Sequence, residues 1–76
     1  MNTVEVPEHG WVVICEAMQQ FAIARDEESL AWMVGTFEEQ VWRTMPDAEN
    51  PVRIFEIGRD LSPDLQTLMA TLQRRS

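Results

Sequence analysis

Apolar positions recur along most of this chain at intervals of three and four residues, the spacing of one helix face. From His9 to Ala24, Trp11, Ile14, Cys15, Met18, Phe21 and Ala22 follow that spacing, with Glu16, Gln19 and Gln20 on the opposite side. This predicts a first helix over 9–24, with Pro7 and Glu8 suited to its start. A strand through "WVVIC" is allowed by propensity, but the pattern continuing to Phe21 favours helix. Val12 and Ile23 fall on the polar side of that helix. A second helix is predicted over 27–45, with Asp26 as N-cap and Glu27 and Glu28 in its first turn. Its buried stripe is Leu30, Met33, Val34, Phe37, Val41 and Met45, and Pro46 ends it.

Residues 46–51, "PDAENP", form the clearest loop. The stretch 51–57 reads as a short helix opened by Asn50 and Pro51 and closed at Gly58. Its β-branched Val52, Ile54 and Ile57 keep a strand as the alternative. Ser62, Pro63 and Asp64 start a last helix over 63–75. Along it Leu61, Leu65, Leu68 and Leu72 repeat in heptad fashion, as a dimer seam or as an ordinary core face. The expectation is an all-α fold. It is a single domain over 1–76, of three or four helices with the first two in an antiparallel hairpin, and residues 1–8 extended or flexible.

Length changes how this pattern is read. A chain of 76 residues buries only a little over half of its unfolded surface, so a staple or a partner helps to complete the core. Cys15 is the sole cysteine and His9 the sole histidine, which excludes an internal disulfide and a multi-cysteine zinc site. Oligomerisation remains, and a homodimer is expected.

Charge narrows the partners. Thirteen Asp and Glu against six Arg and no Lys give a net charge of −7. That balance argues against direct nucleic-acid binding, and neither the 51–57 helix nor the leucine helix offers the basic face of a DNA reader. The N-terminus lacks a basic leader and the longest apolar run, "WVVIC", is too short to span a bilayer. A cytoplasmic protein without membrane contact is expected, with Cys15 reduced.

No catalytic motif is visible. Gly10, Gly35 and Gly58 are scattered singly, "DAEN" lacks the features of a calcium loop, and Cys15 lies on an apolar face. No enzyme activity, cofactor or metal is expected. What stands out is Trp32, on the far side of the second helix from its buried stripe, beside Glu28, Gly35, Glu39 and Arg43. Trp42 flanks the stripe. Either Trp32 is covered within the chain, by "VEVP" or the last helix, or it meets a partner. Tryptophan and arginine are over-represented among interface hot spots, so Trp32, Gly35, Trp42, Glu39 and Arg43 are the candidate binding residues.

The chain thus reads as a small acidic protein-binding module that regulates or inhibits a partner by covering its surface. In size, acidity and Arg-only basicity it resembles small phage-encoded or bacterial host modulators in type, with no motif of a named family. The alternative is a DNA mimic, in which Glu27, Glu28, Glu38, Glu39, Asp47 and Glu49 imitate a phosphate backbone.

Overall fold

The computed structural model describes residues 4–75. The expected all-α fold is overturned: the chain is mixed α/β. A three-stranded antiparallel sheet, ordered β2-β1-β3, carries one long helix on each face. The elements are β1 (Trp11–Cys15), β2 (Gln20–Ala24), α1 (Glu27–Thr44), β3 (Arg53–Glu56), α2 (Ile57–Asp60) and α3 (Pro63–Arg75).

The predicted helix over 9–24 is a β-hairpin, so the expected antiparallel helical hairpin is also absent. The physical reason lies in β1. It is the central strand, and Val12, Val13, Ile14 and Cys15 are all buried because both faces of the sheet are covered. A strand buried on both faces reads as a continuous apolar run without alternation. The one-turn 3-10 helix at Glu16–Met18 then adds residues that keep the spacing to Phe21 near a helical period by coincidence. Gln19 closes this turn in a left-handed conformation at φ 55°, its N–H donating to the Glu16 carbonyl at 3.1 Å. Val12 and Ile23, misfits on a helix, are cross-strand partners facing α3.

The short helix expected over 51–57 is also corrected. Residues 53–56 form β3, paired with β1 from Trp11↔Glu56 to Ile14↔Arg53. Only Ile57–Asp60 turn into a helix, so Gly58 lies inside α2 rather than ending a helix. Asn50 takes a positive φ of 50° in the loop and caps nothing. Hydrogen bonding to a buried neighbouring strand outweighs the local start signal.

The other two helices stand close to their expected bounds. Asp26 caps α1, its carboxylate accepting from the Ser29 N–H at 2.7 Å, a bond that holds its pKa below the usual carboxylate value. Ser62 Oγ accepts from the Leu65 N–H at 3.1 Å at the start of α3. Phe37 and Val41 of α1 pack on Val13 and Cys15. Leu65, Met69 and Leu72 of α3 pack on Val12 and Ile14 from the other side. The leucine series is therefore core-facing at Leu65 and Leu72, half-buried at Leu68, and exposed at Leu61, which precedes the helix.

Of the segment expected to be extended, residues 1–3 lie outside the described residues. Val4 is buried, and its N–H and C=O are both bonded by the Gln66 side chain, at 3.0 and 3.3 Å. Gly10 pins the start of β1. Its φ is +134°, and a Cβ there would run into the Ala24 carbonyl oxygen.

Candidate interaction surface

The predicted site residues separate into two groups. Trp32, Gly35, Glu39 and Arg43 share the exposed side of α1, where Arg43 bonds Glu39 at 2.7 Å. Trp32 is 70 % exposed, so neither the described N-terminal residues nor α3 covers it. Among the described residues, the helix's own backbone and the adjoining residues aside, nothing stands within 4 Å of a Cβ placed on Gly35. Trp42 does not join them. It is 42 % exposed, and its indole N–H donates to the Ala48 carbonyl at 3.0 Å, tying the 45–50 loop to the end of α1.

Trp32 stands between two open grooves, one beside Asp26, Glu28 and Ser29 at the start of α1 and one beside β2. With Met33, Thr36 and Gln40 it forms the wall of the latter, an open groove of about 250 Å³, whose floor is Gln20 and Ala22 of that strand. The small side chains of Ala22 and Ala24 face α1, while Phe21 and Ile23 face α3. This β2 wall of α1 carries no charge, whereas the outer side of the helix carries Glu28, Glu39 and Arg43. Another groove, of about 330 Å³, lies on the other face of the strand, between Phe21 and the Leu72–Gln73 end of α3.

Hydrogen-bond parity shows what the rim of β2 presents. The Ile57 N–H donates to the Gly10 carbonyl at 2.9 Å, which extends the β1–β3 ladder one residue beyond Trp11↔Glu56. Main-chain groups alternate in direction along a strand. Even-numbered residues of β1 therefore turn to β3, and Trp11, Val13 and Cys15 turn to β2. Their partners Ala24, Ala22 and Gln20 spend their main-chain groups inward. Phe21 and Ile23 point theirs outward, where no hydrogen-bond partner stands among the described residues.

The opposite rim is closed at one end. Ile54 and Glu56 are the outward-pointing residues of β3, and the Glu56 N–H donates to the Asp60 carboxylate at 2.9 Å. Arg59 holds the same carboxylate at 2.9 to 3.0 Å. That guanidinium, and then the Glu56 N–H, keep the Asp60 pKa below the usual carboxylate range. Arg53 adds a bond to Glu16 at 2.7 Å and stacks over Phe55 at 5.1 Å.

The edge residues Phe21, Ala22 and Ile23 were not among the sequence candidates. "AMQQFAIA", residues 17–24, is uncharged, but so are 29–37 and 65–73, so the sequence carries no signal that singles out this rim. Among the described residues no group of three His, Cys, Asp or Glu is placed to hold a metal ion. Among them, too, no helix is long and apolar enough to cross a membrane. Comparison with known proteins gives no matching family model, no matching curated protein and no matching solved structure.

Proposed function

We propose that this protein is a small, acidic, non-enzymatic binding module that regulates or inhibits a partner protein in the cytoplasm by covering its surface. Its docking surface is Trp32 with the uncharged groove and rim of β2. The observation that carries this reading is a tryptophan 70 % exposed on the wall of a groove beside an edge strand with outward main-chain groups. Such a surface supplies an aromatic anchor and a row of donors and acceptors for an extended segment. The charge of −7 steers it toward basic partners and speeds encounter. Its size and Arg-only basicity fit a modulator of bacterial or phage origin.

DNA mimicry has less support. Of the six acids such a mimic would line up, Glu39 is paired with Arg43 at 2.7 Å, which breaks the run of bare negative charge along α1.

Affinity capture from a native host, quantified for the wild type and Trp32→Ala, tests the proposal. A hot-spot tryptophan is worth about 2 kcal/mol or more, so binding of the captured protein should weaken at least about tenfold. The melting temperature should stay nearly unchanged, because the side chain is exposed. Binding that tolerates Trp32→Ala but collapses with salt and on neutralising Glu38 and Glu39 would replace this reading with mimicry.

A further inference from the structure

We infer that the rim of β2 pairs with the β2 of a second copy of this chain, about a two-fold axis through Ala22, to give a continuous six-stranded sheet. The inference rests on the proposed docking surface and names its first occupant.

The strand is complementary to itself in one register. Outward-pointing groups belong to Phe21 and Ile23, so pairing must join odd-numbered residues. An axis at Ala22 sets Phe21 of each copy against Ile23 of the other, and both pairs exchange N–H···O=C bonds. That makes four main-chain bonds in all. It also places aromatic beside β-branched side chains, a favourable cross-strand combination. At the centre Ala22 meets Ala22 as a non-hydrogen-bonded pair, the close-approach kind, where a small side chain fits. No charge lies within β2 to oppose this contact. Charged or covered rims are how edge strands are normally kept apart.

The helices fit the same axis. On one face α1 lies over β2 and β1 to about the same extent, and so about half a strand spacing inside the rim. Its copy would lie equally far beyond, which separates the two helices by about two strand spacings, roughly 10 Å. That matches the interaxial distance of packed helices. The uncharged wall of Met33, Thr36 and Gln40 would face its own copy, with both Trp32 rings beside the axis. The two α1 helices run antiparallel, so the end that carries Arg43, already paired with Glu39, lies alongside the acidic start of the other at Asp26, Glu27 and Glu28. On the other face α3 crosses diagonally. It shares one groove with Arg53 and Phe55 of β3 and, at its far end, another with Gln19 and Phe21 of β2. The two-fold axis therefore sets the two α3 ends on opposite sides of Ala22, each over the Gln20–Phe21 part of its own strand.

Sedimentation of the wild-type chain should give twice the chain mass. In a Cys15→Ala background, Ala22→Cys should form a covalent dimer under mild oxidation. A non-hydrogen-bonded antiparallel pair has Cα atoms about 4.5 Å apart, within disulfide reach. Ile54→Cys on the β3 rim should not. Should Ala22→Cys fail to fold, Trp32→Glu decides, because its site is 70 % exposed and its effect falls on association. It should weaken the dimer at least tenfold while the circular dichroism stays that of the wild type. A monomeric wild type, a dimer cross-linked through Ile54→Cys and not Ala22→Cys, or a dimer untouched by Trp32→Glu overturns the inference. A monomer that still loses its captured protein on Trp32→Ala would overturn the dimer alone. A β2-linked dimer with capture indifferent to Trp32→Ala would overturn the proposed function alone.

Discussion

The two rims of this sheet have opposite chemistry. The β3 rim carries charge at Arg53 and Glu56, the outward N–H of Glu56 is taken by Asp60 with Arg59 holding that carboxylate, and Ile54 is its other outward-pointing residue. The β2 rim is uncharged over five residues and leaves the main-chain groups of Phe21 and Ile23 facing outward. Both strands are edges of one small sheet and both pair with β1, so topology alone does not separate them. What separates them is the segment that follows each strand. After β3 the chain turns at once into α2 and brings Asp60 back over the rim. After β2 it climbs into α1, which covers the face and leaves the rim bare. A sheet with one rim charged and partly guarded, and the other uncharged, is better equipped to gain a strand on the uncharged side.

The largest test of this contrast is made where both rims are anchored. Gly10 accepts from Ile57 after β3 and lies against the Ala24 carbonyl at the end of β2. Gly10→Ala imposes a Cβ clash and an unfavourable positive φ, so stability should fall by about 3 kcal/mol, read by chemical denaturation. A loss below about 1 kcal/mol would mean the junction relaxes and does not hold the two rims in register. Next in size is a gain on the β2 side. Gly35 is helical and exposed, with open space around it, and Gly35→Ala should raise stability by about 1 kcal/mol. A decrease instead would show that α1 needs the glycine for a contact at this surface.

The smallest effect is the pH dependence of the β3 guard. Asp60 titrates below its ordinary range when folded, so its contribution is present at neutral pH. It is lost as pH falls through that depressed value, below about pH 4. The melting-temperature difference between wild type and Asp60→Asn should therefore shrink between pH 7 and pH 3. A difference that stays constant would remove the charged carboxylate from the guard.

Legibility in the sequence followed the range of the signals. The Asp26 and Ser62 caps act over three residues, and their helices start where those residues place them. Trp32 was marked as lying off the buried stripe of α1, and it is exposed. The hairpin was misread because its evidence is long-range. "WVVIC" says only that the segment is buried, and whether a strand or a helix is buried depends on the covering layers. Likewise Asn50–Pro51 resembles a helix start, and only pairing with β1 turns 53–56 into a strand. Half of the candidate surface, the Trp32 side of α1, was legible. The Phe21–Ile23 rim was not, because an edge is a property of a sheet and not of a segment.

The sequence by itself determined the acidic net charge and, through neighbours a turn or less apart, the two long helices, the loop at 46–51 and the place of Trp32 off the buried stripe. The tertiary structure alone decided that residues 11–24 form a hairpin, that Leu65 and Leu72 belong to the core, and that Trp32 stands over an open rim. Strand pairing and burial on two faces join residues as distant as Gly10 and Ile57. No local periodicity records a contact of that separation.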